Sequence, residues 1–78
     1  MNNNDNPEVF SSQVSKILSY MNEGHTITPL EALEKFGSMR LSAVIMQIEK
    51  RIGYPPKRDR VKVKNRFGKE VWVARYWL

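Results

Sequence analysis

The chain has no cysteine, which removes disulfides, thiolate metal sites and cysteine nucleophiles together. It has one histidine, His25, with no second histidine or thiol to share a metal ion. A turn residue before an extended segment is the ordinary reading of such a side chain. No glycine-rich phosphate cradle is present, and no serine stands in a nucleophile setting. Glu31 and Glu34 lie three residues apart, but capping and solvation of one helix account for both. Neither an enzyme nor a cofactor or metal site is therefore expected. No apolar run approaches the roughly 18 residues that a membrane-spanning helix needs. The opening "MNNNDNPE" is polar without a basic n-region, so it does not read as a signal peptide. A soluble protein of the cytoplasm is expected, with neither a membrane nor a small-molecule ligand as partner.

What is present is positive charge, unevenly placed. The 78 residues carry a formal net charge of +5. Residues 1–37 hold Lys16 and Lys35 against five carboxylates, whereas residues 38–78 hold eleven basic residues against three acidic ones. A basic half beside an acidic half points to a polyanion approached from one side. The plainer alternative is a solvated face that meets no partner. At this length one domain is expected, reading as a disordered tail over 1–6 and a folded unit over 7–78.

Hydrophobic spacing supplies the elements. Asn6, Pro7 and Glu8 resemble a helix start: a cap, a first-turn proline and an early carboxylate. Phe10, Val14, Ile17, Leu18 and Met21 then recur with a period of about 3.6 residues, ending near Gly24. A short extended piece around Ile27 follows. Thr28 precedes proline, is pushed from helical angles, and stands three residues before Glu31 in capping-box spacing. Leu30, Leu33 and Phe36 are expected to face inward on this short second helix, which Gly37 closes by entering the left-handed region cheaply. Ser38 reads as the cap of a third helix over 38–52, with Leu41, Val44, Ile45, Ile48 and Ile52 on its core side. Gly53 ends it, and "YPPK" imposes an extended turn. From Val61 the period becomes two, and "NRFGK" separates the two runs of a β-hairpin over 57–75. Its second run is apolar on both faces, which calls for a bulge near Ala74 or a packed aromatic face.

Helix, short strand, helix, turn, helix, hairpin is the order of an α+β winged helix-turn-helix domain with a C-terminal hairpin wing. In that arrangement the second helix braces the third, whose outer face enters a DNA major groove about 12 Å wide. Met39, Arg40, Ser42, Ala43, Met46 and Gln47 are the candidate base readers, being short or hydrogen-bonding where an ordinary face carries charge. Met39 and Met46 packing against another protein is the alternative. Lys50, Arg51, Lys57, Arg58, Arg60, Lys62, Lys64, Asn65, Arg66 and Lys69 are candidates for the phosphate backbone or minor groove. Seven of the thirteen residues 57–69 are basic against Asp59 alone. Protecting a sheet edge from aggregation needs fewer lysines than that.

The segments "ITPLEALEKFG", "RLSAVIMQIEKRIGY" and "VKVKNRFGKEVWVARYWL" resemble the small helix-turn-helix proteins encoded by bacteriophages and prophages. The resemblance covers roughly residues 26–78. It implies a winged-helix fold and DNA binding, with Arg40, Ser42, Gln47 and the hairpin bases as carried-over positions. One departure is Pro56, which stands where winged domains place an apolar strand residue and weakens pairing of Ile27 with the start of the hairpin. Double-stranded DNA is the expected partner, for a transcriptional or recombination accessory role. A host or phage protein docked on the methionines, and RNA on the hairpin, are the alternatives. Trp72, Tyr76 and Trp77 offer a surface for weak homodimerisation.

Overall fold

The computed structural model describes residues 7–78; the tail over 1–6 and the cap expected at Asn6 lie outside the described residues. Three helices, α1 (Pro7–Asn22), α2 (Pro29–Phe36) and α3 (Leu41–Ile52), precede two strands, β1 (Lys57–Lys64) and β2 (Glu70–Trp77). This is the winged helix-turn-helix arrangement expected from the order of elements.

The core lies among the helices. Val14, Ile17 and Met21 of α1 meet Ile27, Ala32 of α2, and Leu41, Val44 and Ile48 of α3. Each large aliphatic side chain buried in this way contributes about 1.5–3 kcal/mol relative to exposure. Gln13 is the one buried polar residue of α1, and its amide nitrogen donates to the Gly37 carbonyl at 3.1 Å. That bond ties α1 to the end of α2 and satisfies a polar group that would otherwise be costly to bury.

Both ends of α2 follow the sequence expectation. The Thr28 N–H donates to Glu31 Oε1 at 3.0 Å, and the Glu31 N–H donates to Thr28 Oγ1 at 3.3 Å. Gly37 closes the helix in the left-handed region at φ 67°. The inward face does not follow it. Ala32 is buried, Phe36 is half-buried, and Leu30 and Leu33 are exposed. The fixed start at Thr28 and the Gln13 tie at Gly37 set the rotation of this eight-residue helix. That rotation presents positions 32 and 36, one turn apart, to α1.

The start of α3 also differs. Ser38 is buried, its N–H donates back to the Ala32 carbonyl at 3.1 Å, and its hydroxyl accepts from the Arg40 N–H at 3.3 Å. It therefore completes the turn after α2 and does not cap α3. The helix begins at Leu41, with Arg40 at the cap position and no side-chain cap. The connection is the stretch 37–40, and Met39 and Arg40 stand on it ahead of the helix.

β1 and β2 pair antiparallel without interruption, from Lys57 opposite Trp77 to Lys64 opposite Glu70. Ala74 sits in register opposite Arg60, so no bulge forms there, and the wing continues past 75 to Trp77. Ile27 pairs with the end of the hairpin: its N–H donates to the Tyr76 carbonyl and it accepts the Tyr76 N–H, both at 2.9 Å. The spatial order is thus Ile27, β2, β1, with Pro56 buried at the crossing from α3.

Candidate nucleic-acid interface

Two surfaces carry the residues singled out from the sequence. The first is the outer side of α3, about 18 Å long at helical rise. Ser42, Met46, Glu49 and Lys50 are exposed along it, and Ala43 and Gln47 lie half-exposed beside them. Met46 is 62% exposed, which leaves a long apolar side chain in water between polar neighbours. The candidate base readers therefore separate into two groups. Ser42, Ala43, Met46 and Gln47 share the helix, whereas Met39 and Arg40 belong to the preceding turn. The Arg40 guanidinium is already engaged, 5.1 Å from the centroid of the Phe10 ring on α1. Arg51, at the far end, donates to Ser15 Oγ of α1 at 3.0 Å. These two arginines clasp α1 from either end of α3, a use the sequence pattern did not reveal.

The second surface is the wing. Strand alternation places Arg58, Arg60, Lys62 and Lys64 on one face of β1, beside Glu70, Trp72, Ala74 and Tyr76 of β2. Trp72 is 58% exposed, with Lys62 and Arg60 at 5.4 Å and 5.9 Å from its ring. Tyr76 packs against the core at the base of the same face. The expected aromatic surface thus divides: Tyr76 is structural, Trp72 is open, and Trp77 is half-buried with Arg75 5.8 Å from its ring.

The opposite face holds Lys57, Asp59, Val61 and Val63 with Val71, Val73, Arg75 and Trp77. Asp59 and Arg75 lie directly across the strands, and Arg75 Nε donates to Asp59 Oδ1 at 3.0 Å while Nη2 donates to Oδ2. This bidentate hydrogen bonding, more than the charge itself, raises the Arg75 pKa above its ordinary value. The lone acidic residue of the basic segment is therefore spent inside the hairpin. Nearer the tip, Val63, Val71 and Val73 form an apolar cleft of about 240 Å³ with Thr28 and Leu30. That cleft explains where the exposed Leu30 points.

Lys62 is held by Glu70 at 3.1 Å. Lys50, Lys57, Arg58, Lys64, Arg66 and Lys69 form no ion pair among the described residues. They supply unneutralised charge to whatever approaches. Asn65 is different: its side-chain oxygen accepts the N–H groups of Phe67 and Lys69, at 2.9 Å and 3.0 Å. It builds the turn. His25 stacks on Tyr20 at 4.2 Å and stands 4.0 Å from the Glu23 carboxylate, in the turn before Ile27.

No curated protein and no solved structure shows significant similarity to the chain. A family profile described as "Winged helix-turn-helix domain" matches residues 12–78, taking in most of α1 and every later element. That fold is in general a non-enzymatic, DNA-binding one, in keeping with the exposed α3 face and the unpaired cations of the wing. By this match and by its architecture, the chain belongs to the winged helix-turn-helix family.

Proposed function

We propose that the protein binds double-stranded DNA sequence-specifically, with α3 in the major groove and the wing on the backbone and adjacent minor groove. Its role is that of a phage-type transcriptional regulator or recombination accessory factor, associated with the bacterial nucleoid. The observation that carries the reading is the division of labour between the two surfaces. Ser42, Ala43, Met46 and Gln47 offer hydrogen-bonding or methyl-contacting side chains on one helix face, as base edges require. Arg40 reads bases beside them once it leaves the Phe10 ring, and Met39 adds apolar contact from the turn. Lys50, Arg51, Lys57, Arg58, Arg60, Lys62, Lys64, Arg66 and Lys69 supply phosphate attraction, which positions without specifying.

Affinity for duplex DNA measured across salt concentrations tests this directly. Each neutralised phosphate contributes about −0.9 to the slope of log affinity against log salt. A steep slope is expected, together with tighter binding to a selected sequence than to a scrambled one. Absent or salt-insensitive binding would move the reading to the second one, a protein-interaction module. That alternative is favoured by Met39 and Met46, whose exposed thioether side chains suit an adaptable protein interface. Weak self-association through Trp72 and Trp77 would let two copies occupy half-sites one helical turn apart.

A further inference from the structure

The apex of the wing holds Phe67, at 85% exposure the barest large hydrophobic side chain among the described residues. The ring is not there for want of shelter. An apolar cleft lined by Leu30, Val63, Val71 and Val73 runs along the same hairpin, and Phe67 is not part of its lining. Nor does it sit on a loose loop. The Asn65 backbone N–H donates to the Lys69 carbonyl at 2.8 Å, and the Asn65 carbonyl accepts the Gly68 N–H at 3.0 Å. The Asn65 side-chain oxygen accepts the N–H of Phe67 itself and that of Lys69. Gly68 provides the left-handed residue at φ 78° that lets five residues close this tightly. The turn is a built mount, and what it mounts is a phenyl ring that the sequence sets between Arg66 and Lys69, neither of which forms an ion pair among the described residues.

An apolar wedge flanked by cations is the chemistry of side chains that enter the minor groove and part a base step. The cations meet the phosphates on either side of the step, and the ring replaces part of the lost base stacking. The apex projects beyond the last pair of the ladder, Lys64 with Glu70, and the exposure of the ring leaves it open to a ligand.

We infer that Phe67 is an intercalating wedge, which unstacks one base step in the minor groove and bends the duplex that the protein binds. The inference rests on the DNA-binding reading and adds an activity to it: the protein shapes its DNA as well as reading it. Pyrimidine–purine steps unstack most easily, so a TA or CA step is the preferred point of entry. Phe67 makes no core contact, so its removal leaves the fold intact while abolishing the bend.

The experiment uses a duplex with a central TA step whose adenine is replaced by 2-aminopurine, and donor and acceptor dyes on its ends. With the full chain at saturation, 2-aminopurine fluorescence rises several-fold and energy transfer increases, reporting a kink of about 20–90°. Phe67→Ala binds roughly ten-fold more weakly, as loss of one stacked base predicts. It keeps the salt slope, because no charge has changed, and it loses both optical responses at saturation. Phe67→Leu, which retains an apolar wedge, restores them in part. Equal responses from wild type and Phe67→Ala would overturn the wedge, as would a wild-type complex that forms without either response. Failure of the wild type to bind any duplex would overturn the DNA-binding reading itself, and the wedge with it.

Discussion

The helical body and the wing solve opposite problems with the same backbone. In the body, eight apolar side chains from three helices and Ile27 are sealed from water, and the buried Gln13 is satisfied by hydrogen bonding to the end of α2. In the wing every residue is exposed or half-exposed, and the cross-strand ladder and the Asp59–Arg75 pair hold its shape. The body spends its side chains on itself; the wing leaves Lys57, Arg58, Lys64, Arg66 and Lys69 unspent. The difference teaches where substitutions should act. Folding free energy is concentrated between α1 and α3, whereas attraction for a polyanion is concentrated beyond residue 57.

The sharpest test of this division is Ile48→Ala. Ile48 is fully buried at the centre of α3, so its truncation should cost about 2–5 kcal/mol of stability in urea unfolding. DNA binding should fall only in proportion to the unfolded fraction. A smaller effect is expected at Thr28→Ala, which removes half of the α2 capping box. A loss of about 1 kcal/mol is expected, with duplex affinity unchanged when measured well below the melting temperature. A weaker complex under those conditions would mean that α2 contacts DNA itself.

Gln47→Ala should reverse that pattern. Its stability should stay within about 0.5 kcal/mol of wild type, while discrimination at the preferred site drops by about 1–3 kcal/mol. Unchanged discrimination between cognate and scrambled duplexes would show that this face is not the reader. The least effect on folding belongs to the double substitution Lys64→Ala and Arg66→Ala. The melting temperature should not move, yet the salt slope should lose about 0.9 for each phosphate contact removed. An unaltered slope would return both side chains to the solvent and break the division at the wing.

Much of this architecture is legible in the sequence because its strongest signals are local. Pro7 at the start of α1, Thr28 with Glu31, Gly37, Gly53 and the turn around Gly68 each act over a few residues, and each stands where its chemistry requires. The rest is decided by distant contacts. Leu30 and Leu33 look like core residues until Ala32 is turned inward by contacts with α1. Ser38 looks like a cap until its hydroxyl and N–H are found bonded within the preceding turn. The pairing of Ile27 with Tyr76 joins residues 49 apart in the chain, and no local signal marks it. At the interface, the basic and helical candidates were visible by composition. Arg40 and Arg51 were also visible, but their engagement with Phe10 and Ser15 depends on how α1 crosses α3. Phe67 carries no signal in the sequence, because a single aromatic residue in a turn has no periodicity to mark it.

The pair of hydrogen bonds between Ile27 and Tyr76 also has a kinetic meaning. It joins the loop before α2 to the second-last residue of β2, so its closure brings together residues 49 apart in the chain. Contacts that span so much sequence form slowly compared with helices, because the loop-closure entropy must be met first. The amide proton of Ile27 is therefore a clock for docking of the hairpin. Its exchange with solvent deuterium, compared with that of core amides in α1 and α3, measures how often the wing lifts from a body that remains folded.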